Sequence, residues 1–474
     1  MNSQNFSQKI FPDDPRSGVM FGRYLEMNGK DLFVSAYLDY ENGQHSGSLH
    51  IFNLIAGRFR QTSKLFPDDG IVEQFFSYSV SSYGDYLITG AHHDSDYGAS
   101  SGAAYILKKS NDKWDFHQKI APSELKEADE FGKTVAIYGD IAVAGAWLND
   151  DKGTNTGCVY VLGLSDDIWD VNHKIYPSDP QAYSLFSLGL DIHEDHILAG
   201  APYFTSDRVN SGAAYLFMKG NNAWSEIARF APEVPDDNDL FGHEVKLTER
   251  FAFVSAIRDN EMGENSGAIY VYDRNKEWEL SQKITAFDGE AADGFGIAIE
   301  ANDTVLFAGA YFNNVNGTNS GAVYIYKLEQ DNWVFLKKLY PSDGKESDAF
   351  GSSLAFNEYG LTVGAYANDD KGFFSGAVYF FRMDDLFENP AEKPEIDEEI
   401  IVYPTIFDDF IVVESKDPDQ KVLYVLYDIN GKILFHGNLK AGYKIIEAGK
   451  LPSGMYILQT ILPEKNYSFK IIKK

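Results

Sequence analysis

At 474 residues the chain is too long for one ordinary core, and its formal charge of −30 repels nucleic acid and anionic lipid while favouring cations or basic partners. Its single cysteine, Cys158, excludes an intrachain disulfide and a thiolate zinc site. With 15% aromatic residues, 41 glycines and no long Ala/Leu/Glu/Lys runs, the composition predicts short strands joined by glycine-marked turns and almost no helix.

Residues 1–5 carry neither the basic start nor the apolar stretch of a signal peptide, and no apolar run approaches membrane-spanning length. Taken literally this means a cytoplasmic protein; the alternative is that a signal has already been removed, and no membrane insertion is expected. Residues 6–12, Phe-Ser-Gln-Lys-Ile-Phe-Pro, read as a lone strand ahead of everything else.

A repeat follows. Phe and a small residue recur at Phe21-Gly22, Phe76-Ser77, Phe131-Gly132, Phe186-Ser187, Phe241-Gly242, Phe295-Gly296 and Phe350-Gly351, spaced 55 residues apart five times and 54 once. Small-Ala pairs follow in phase from Ser35-Ala36 to Gly364-Ala365, and Ser/Thr-Gly pairs begin at positions 46, 101, 156, 211, 266, 320 and 375. Each unit predicts four strands, the fourth being led by an aromatic and ending Lys-Ile or Lys-Leu, as in Trp114 to Ile120 and Trp333 to Leu339. Segments such as Ala322 to Tyr326 are apolar on both alternating faces, as strands sandwiched between neighbouring sheets require. The glycines are expected where converging backbones leave no room for a Cβ. Cys158, in a column where other repeats carry Ala, is expected in the core.

The seventh unit stops after its third strand near Arg382, one strand short, while residues 6–12 are one strand too many. Pairing them closes a ring and removes the exposed edges of an open array, so the expected fold is all-β: a seven-bladed β-propeller over residues 1–383. An open β-solenoid is the competing architecture.

Phe-Gly, Gly-Ala and Ser-Gly-Ala-Val-Tyr together resemble the FG-GAP repeat of the integrin α-subunit propeller and of many bacterial surface proteins. The resemblance implies a seven-bladed propeller used for extracellular recognition and adhesion, in some members with bound calcium. The integrin-type Asp-rich loop before Gly-Ala is missing, replaced by tight turns such as Tyr138-Gly139-Asp140, so integrin-type calcium sites are expected to be absent.

Acids stand instead after Gly-Ala, paired two apart and followed two later by Gly in six of seven units. Asp94 and Asp96 before Gly98, Asn149 and Asp151 before Gly153, and Asn368 and Asp370 before Gly372 are the candidate Ca²⁺ loops, because alternating hard oxygens ahead of a Gly can wrap the ion. The competing reading is an Asx-turn, in which the side chain bonds its own backbone. A further acid precedes Phe-Gly at Asp129, Asp239, Asp293 and Asp348, where it is expected to cap a turn.

Residues 384–399 are acidic and Pro-containing and read as a linker. Residues 400–474 alternate apolar and polar around turns at Asn430-Gly431 and Ser453-Gly454, predicting a small β-sandwich. This segment resembles the type A sorting domain of the type IX secretion system of Bacteroidetes. The matching residues are Tyr403-Pro404, then Tyr427, Asp428, Gly431 and Lys432, then Gly454 and Tyr456, and the basic ending Lys470, Lys473 and Lys474; Thr405-Ile406 depart from the Asn-Pro usual there. The resemblance implies export to the cell surface or medium, with the secretion machinery as partner.

No nucleophile elbow, phosphate-cradling loop or Ser/His/Asp spacing appears, and His92-His93 would point to opposite faces of a strand unless the loop bends. The expectation is therefore a non-enzymatic recognition or adhesion protein with an extracellular protein or glycan ligand; a structural surface coat, or an enzyme with an unrecognised site, are the alternatives. Tyr97, Trp147, Tyr203, Phe312 and Phe374 are the candidate aromatic platform for a glycan.

Overall fold

Seven four-stranded antiparallel sheets follow one another along the chain in a computed structural model that describes residues 6–70, 72–221, 223–387, 400–403, 406–407, 410–415, 422–429, 431–439, 443–448, 450–462 and 465–473. Blade 1 comprises Leu25–Asn28, Asp31–Ala36, Ser48–Ile55 and Arg58–Leu65, and the pattern repeats through blade 6. Blade 7 has Phe350–Asn357, Gly360–Ala365 and Ala377–Arg382, and takes its fourth strand from Gln8–Ile10, which pairs Gln8 with Phe380 and Ile10 with Val378. The ring is closed as the strand count predicts.

The markers are contacts between neighbouring blades. Phe131 donates its backbone N–H to Ser101 O at 3.0 Å, and a Cβ on Gly102 would stand 2.1 Å from Phe131 O. The same contact closes the ring, where a Cβ on Gly376 would stand 2.0 Å from Phe21 O. Deeper in, a Cβ on Gly90 would lie 1.8 Å from Gly132 O, so the two sheets touch backbone to backbone. Where the small pair begins with Ser35, the facing marker is Ser77, and their hydroxyls meet at 3.1 Å.

Between the sheets the Phe of each marker packs edge-on against an aromatic ring of the third strand of its own blade. Phe131–Tyr160 centroids are 5.1 Å apart and Phe350–Tyr379 5.4 Å; in blade 1, His50 takes the tyrosine's place against Phe21 at 5.2 Å. Ala322 to Tyr326 are all buried, and Cys158 is fully buried in the core of its blade. Outer strands are stapled across blades by reciprocal amide bonds: Gln118 donates through Nε2 to Trp169 O at 2.8 Å and accepts through Oε1 from Trp169 N at 2.9 Å, and Gln282 does the same with Trp333.

Among the described residues, two helical turns interrupt the β pattern. Arg274–Lys276 form a 3₁₀ turn, so Trp278 falls just before its strand, Glu279–Ile284, instead of leading it. Met383–Phe387 form a short α-helix with Leu386 buried in the core of blade 7. This corrects the linker boundary: residues 384–387 belong to the propeller, because an apolar Leu386 caps the sheet where a solvated spacer was expected, and residues 388–399 lie outside the described residues.

The second unit is a β-sandwich of a three-stranded sheet, with Ile400–Tyr403, Phe410–Ser415 and Tyr443–Glu447, and a five-stranded sheet. Its core unites Ile411, Val413 and Ile446 with Tyr424, Leu458 and Ile471. The motif residues are largely turn-makers: Gly431 has φ +80°, Asp428 Oδ1 accepts from Lys432 N at 2.9 Å, and Tyr456 is buried with its hydroxyl 2.5 Å from Pro452 O. Gly454 pairs with Lys473, and Lys470 with Ile457, where the strand Asn466–Lys473 lies between Gly454–Ile461 and Ile406–Phe407. Pro404, Thr405, Asn430 and Lys474 lie outside the described residues.

Candidate functional site

Two sets of polar groups recur around the ring, one in the outer loops and one along the axis. The outer set contains the residues expected to hold calcium. In blade 2, Asp94 Oδ1 accepts from Asp96 N at 3.1 Å, which is the Asx-turn, while its other oxygen meets Lys119 Nζ at 2.9 Å. Lys119, from the fourth strand, also reaches Asp96 at 2.8 Å and Asp69 at 2.6 Å, and lies over the Tyr105 ring.

The other blades repeat this cage with their own fourth-strand cation. Lys64 meets Asp39, Glu41 and Asp14; Lys283 meets Asp259 and Glu261; Lys338 meets Asp288; Lys9, from the strand that closes the ring, meets Asp343 and Asp370. In blade 3, Asp151 is held by Lys174 at 2.5 Å and by Lys126 at 2.8 Å. In blade 4 the acid is replaced by Phe204, and Arg229 stacks on that ring at 4.6 Å.

These loops do not fit calcium. Asn149 and Asn368 turn their amide N–H groups toward Asp129 and Asp348, at 3.1 and 3.0 Å, so each loop presents a donor where an ion needs an acceptor. The carboxylates of Asp94, Asp96, Asp151 and Asp370 already surround an ammonium group. Asp129, Asp239, Asp293 and Asp348 cap turns as expected, each accepting from the backbone N–H three residues earlier.

The axial set was not singled out from the sequence. In the first strands, bulged beside the Phe-Gly marker in blades 3, 5 and 7, successive layers of side chains face the propeller axis. A cavity of about 290 Å³ opens there. Its upper layer includes Arg23, Tyr78, Lys133 and His243; a deeper layer places Glu26, Asp191 and Glu300 around Lys246, whose Nζ is 3.3 Å from Glu300. That deeper layer also borders a second cavity of about 360 Å³ at the opposite end.

The upper layer is rich in aromatic rings and cations. Arg23 lies over Tyr24 at 4.8 Å and Tyr366 at 5.3 Å, and Lys133 over Tyr78 at 4.1 Å and Trp147 at 4.6 Å. Of the candidate aromatic platform, Trp147 joins this layer, bonded through Nε1 to Glu130 at 2.8 Å, and Phe312 stands 4.1 Å from Tyr311, itself 6.1 Å from Tyr366. Tyr203 follows the same loop position in blade 4 and is exposed; Tyr97 and Phe374 stand in the outer acid loops instead, Phe374 against Phe373.

The loop at His92-His93 does bend, bringing both imidazoles and Glu130 within 4.8 Å of one another. Lys133 Nζ, 3.4 Å from His92 Nε2, is the cation of that cluster. Burial and then the charge of Lys133 push His92 well below its usual value, keeping it neutral.

Burial pushes Glu26 up to about 7 and Glu244 up to about 8, so the deeper acids are partly protonated near neutrality. The upper layer has the opposite character. Burial would raise Tyr78, yet Lys133 and Arg23 bring it below its usual value, and burial followed by Arg23 and Arg258 pushes His243 down to about 4.

Comparison with known proteins bears on the scaffold. A family model described as the FG-GAP repeat matches seven times, at residues 5–52, 59–107, 114–162, 169–217, 224–272, 278–326 and 333–381. No curated protein matches the chain. Among solved structures it is similar to PorZ, described as an essential bacterial surface component of the type IX secretion system of Porphyromonas gingivalis, at 10% identity and a TM-score of 0.37 over 94% of this chain and 64% of that one. It is also similar to the β-propeller domain of the Trilobed protease from Pyrococcus furiosus, at 8% identity and a TM-score of 0.41 over 72% of this chain and 90% of that one. A fungal alcohol oxidase of the AA5 family, in complex with copper, matches at 10% identity and a TM-score of 0.46 over 99% of this chain and all of that one, 100%. The chain spans just under two thirds of the PorZ chain, 64% of its length.

Proposed function

We propose, from the premise that the chain belongs to the FG-GAP repeat family, that it is an extracellular recognition protein whose propeller offers the axial mouth to its ligand. The observation that carries this reading is the group of half-exposed aromatic side chains and cations, Tyr24, Tyr78, Trp147, Tyr366, Arg23 and Lys133, set around an open cavity. Binding is favoured over catalysis because the acidic loops of six blades are structural and the axial acids gather around Lys246.

The C-terminal sandwich is read as the export signal, handed to the type IX secretion machinery and carrying the propeller to the cell surface or medium. Its support is the match of Tyr427, Asp428, Gly431, Lys432, Gly454, Tyr456 and the basic ending to the sorting-domain pattern. Deleting residues 400–474 should trap the protein in the periplasm of a host that has this system. Normal surface delivery of the truncated protein would overturn the assignment.

A further inference from the structure

The mouth carries a cation that, among the described residues, has no carboxylate in ion-pair range, the facing Glu244 being pushed up by burial. Among the described residues, the fourth-strand lysines of six blades each meet a carboxylate within 3.0 Å. Arg23 differs. Half-buried in the axial cavity, it donates only a long bond of 3.3 Å to Ser352 O, and its guanidinium is packed between the Tyr24 and Tyr366 rings. Leaving a buried charge without an opposite partner is costly, and flat aromatic faces recover only part of what a carboxylate would supply.

Lys133 stands in the same layer, two blades away. Its carboxylate, Glu130, is 3.9 Å distant and is already bonded by Trp147 Nε1 and faced by His93 at 3.5 Å. Arg258 adds a third positive group in the loop of blade 5. On a chain of net charge −30, this is a local positive field at the end of a cavity, surrounded by rings.

Resting on the recognition reading above, we propose that the mouth binds an acidic saccharide: its anionic group is taken by Arg23 and Lys133, and its pyranose face stacks on the exposed rim rings Tyr203 and Phe312. Arg presents a planar fork matched to a carboxylate or sulfate oxyanion, held ready here by its two tyrosines. The cavity of about 290 Å³ is suited to one terminal sugar unit and not to a folded partner. Tyr203 and Phe312, two residues past the small-Ala pair in blades 4 and 6, are 37% and 40% exposed, whereas Tyr24 and Tyr78 each carry a cation over one face. Glu130 stands against the anion and sets a limit on affinity. Glu244, pushed up to about 8, does not add to it at neutral pH.

The test is calorimetric titration of the full chain with four probes: a galacturonate trisaccharide, a sulfated trisaccharide, a neutral galactose trisaccharide, and a short poly-glutamate peptide. We expect the acidic sugars to bind and the neutral sugar to bind at least about 10-fold more weakly, with affinity falling as salt rises. The preferred acidic sugar identifies the anion. Arg23→Gln and Lys133→Gln should each weaken acidic-sugar binding about 10-fold or more, while Lys283→Gln, in an outer cage, leaves it unchanged. Phe312→Ala should weaken all sugars alike. Equal binding of the neutral sugar, tighter binding of poly-glutamate, or full affinity in both axial variants overturns the proposal. So does a lack of binding by all four probes to protein with an unaltered melting curve. None of these outcomes touches the export assignment, which the deletion of residues 400–474 tests separately.

Discussion

Lys119 places its ammonium 2.9 Å from the carboxylate of Asp94, a side chain only 2% exposed, and so stands where the ion of an acidic loop would stand. Removing it by Lys119→Met should leave Asp69, Asp94 and Asp96 facing one another and cost about 2 kcal/mol, less than a fully buried pair because Asp69 and Asp96 are about half exposed. The variant should then recover stability in millimolar calcium. Urea midpoints with calcium and with chelator measure both effects.

Wild-type protein should melt at the same temperature in calcium and in chelator, since a dication gains nothing by competing with a tethered lysine. A rise of several degrees with calcium would show that the lysines yield.

Gly90→Ala should be severely destabilising, by about 3 kcal/mol or more, because its Cβ would meet the Gly132 carbonyl oxygen at 1.8 Å and neither backbone can retreat from a packed interface. Gly139→Ala is the control: it is a surface turn with open space around it, and loses only the strain of φ +61°, about 1 kcal/mol. Thermal denaturation of the pair separates close approach from turn conformation.

Stability should peak in mildly acidic solution. Hydrogen bonds from Lys126 and Lys174 hold Asp151 below the usual carboxylate range; Asp39, Asp69 and Asp370 are also lowered, their lysines outweighing burial. These groups stabilise the fold above the unfolded Asp value of about 3.9, and that contribution is lost as pH falls through their lower folded values. Glu26 and Glu244 act in the opposite sense. Raised by burial to about 7 and about 8, they favour the folded state most below the unfolded Glu value of about 4.3, and the benefit is lost as pH rises through 7 to 8. Glu244 is faced by Asp191, Lys246, Arg23 and Glu300, so Glu244→Gln should flatten the alkaline limb by on the order of 1 kcal/mol. Urea midpoints across the pH range check the curve; a wild-type midpoint constant through the alkaline limb would refute it.

Deleting residues 6–12 should abolish cooperative unfolding of the propeller. It removes the partner of Ala377–Arg382 and takes Lys9 away from Asp343 and Asp370, exposing a sheet edge in blade 7. Adding the peptide back in trans should restore part of the lost stability, which a melting curve reads directly.

The scaffold was legible because its markers are backbone contacts. Phe131 and Gly102, or Phe21 and Gly376, touch in every blade, and a contact that tolerates no Cβ leaves a column of glycines in the sequence. The outer cages were half legible. Acids and Gly formed a visible column, but Lys119 lies 25 residues past Asp94 and 50 past Asp69, and only strand register brings them together. The same spacing of 25 links Asn149 to Lys174 and Asn313 to Lys338, a recurrence that would have pointed to the lysine. The axial layer was invisible for a different reason. Arg23, Tyr78, Lys133 and His243 are neighbours only around the ring, and read within any one repeat each is an unremarkable residue after Phe-Gly or Phe-Ser.

The pairing of Gln8 with Phe380 also sets a clock. Gln8 cannot find its partner until some 370 further residues have followed, which at about 5–20 residues per second is roughly 20 s or more. For that interval the chain holds an unsatisfied edge at one end and an incomplete blade at the other, and its closing step is the longest-range contact it makes. A protein that completes itself last at the join keeps its ring open until the final blade is made.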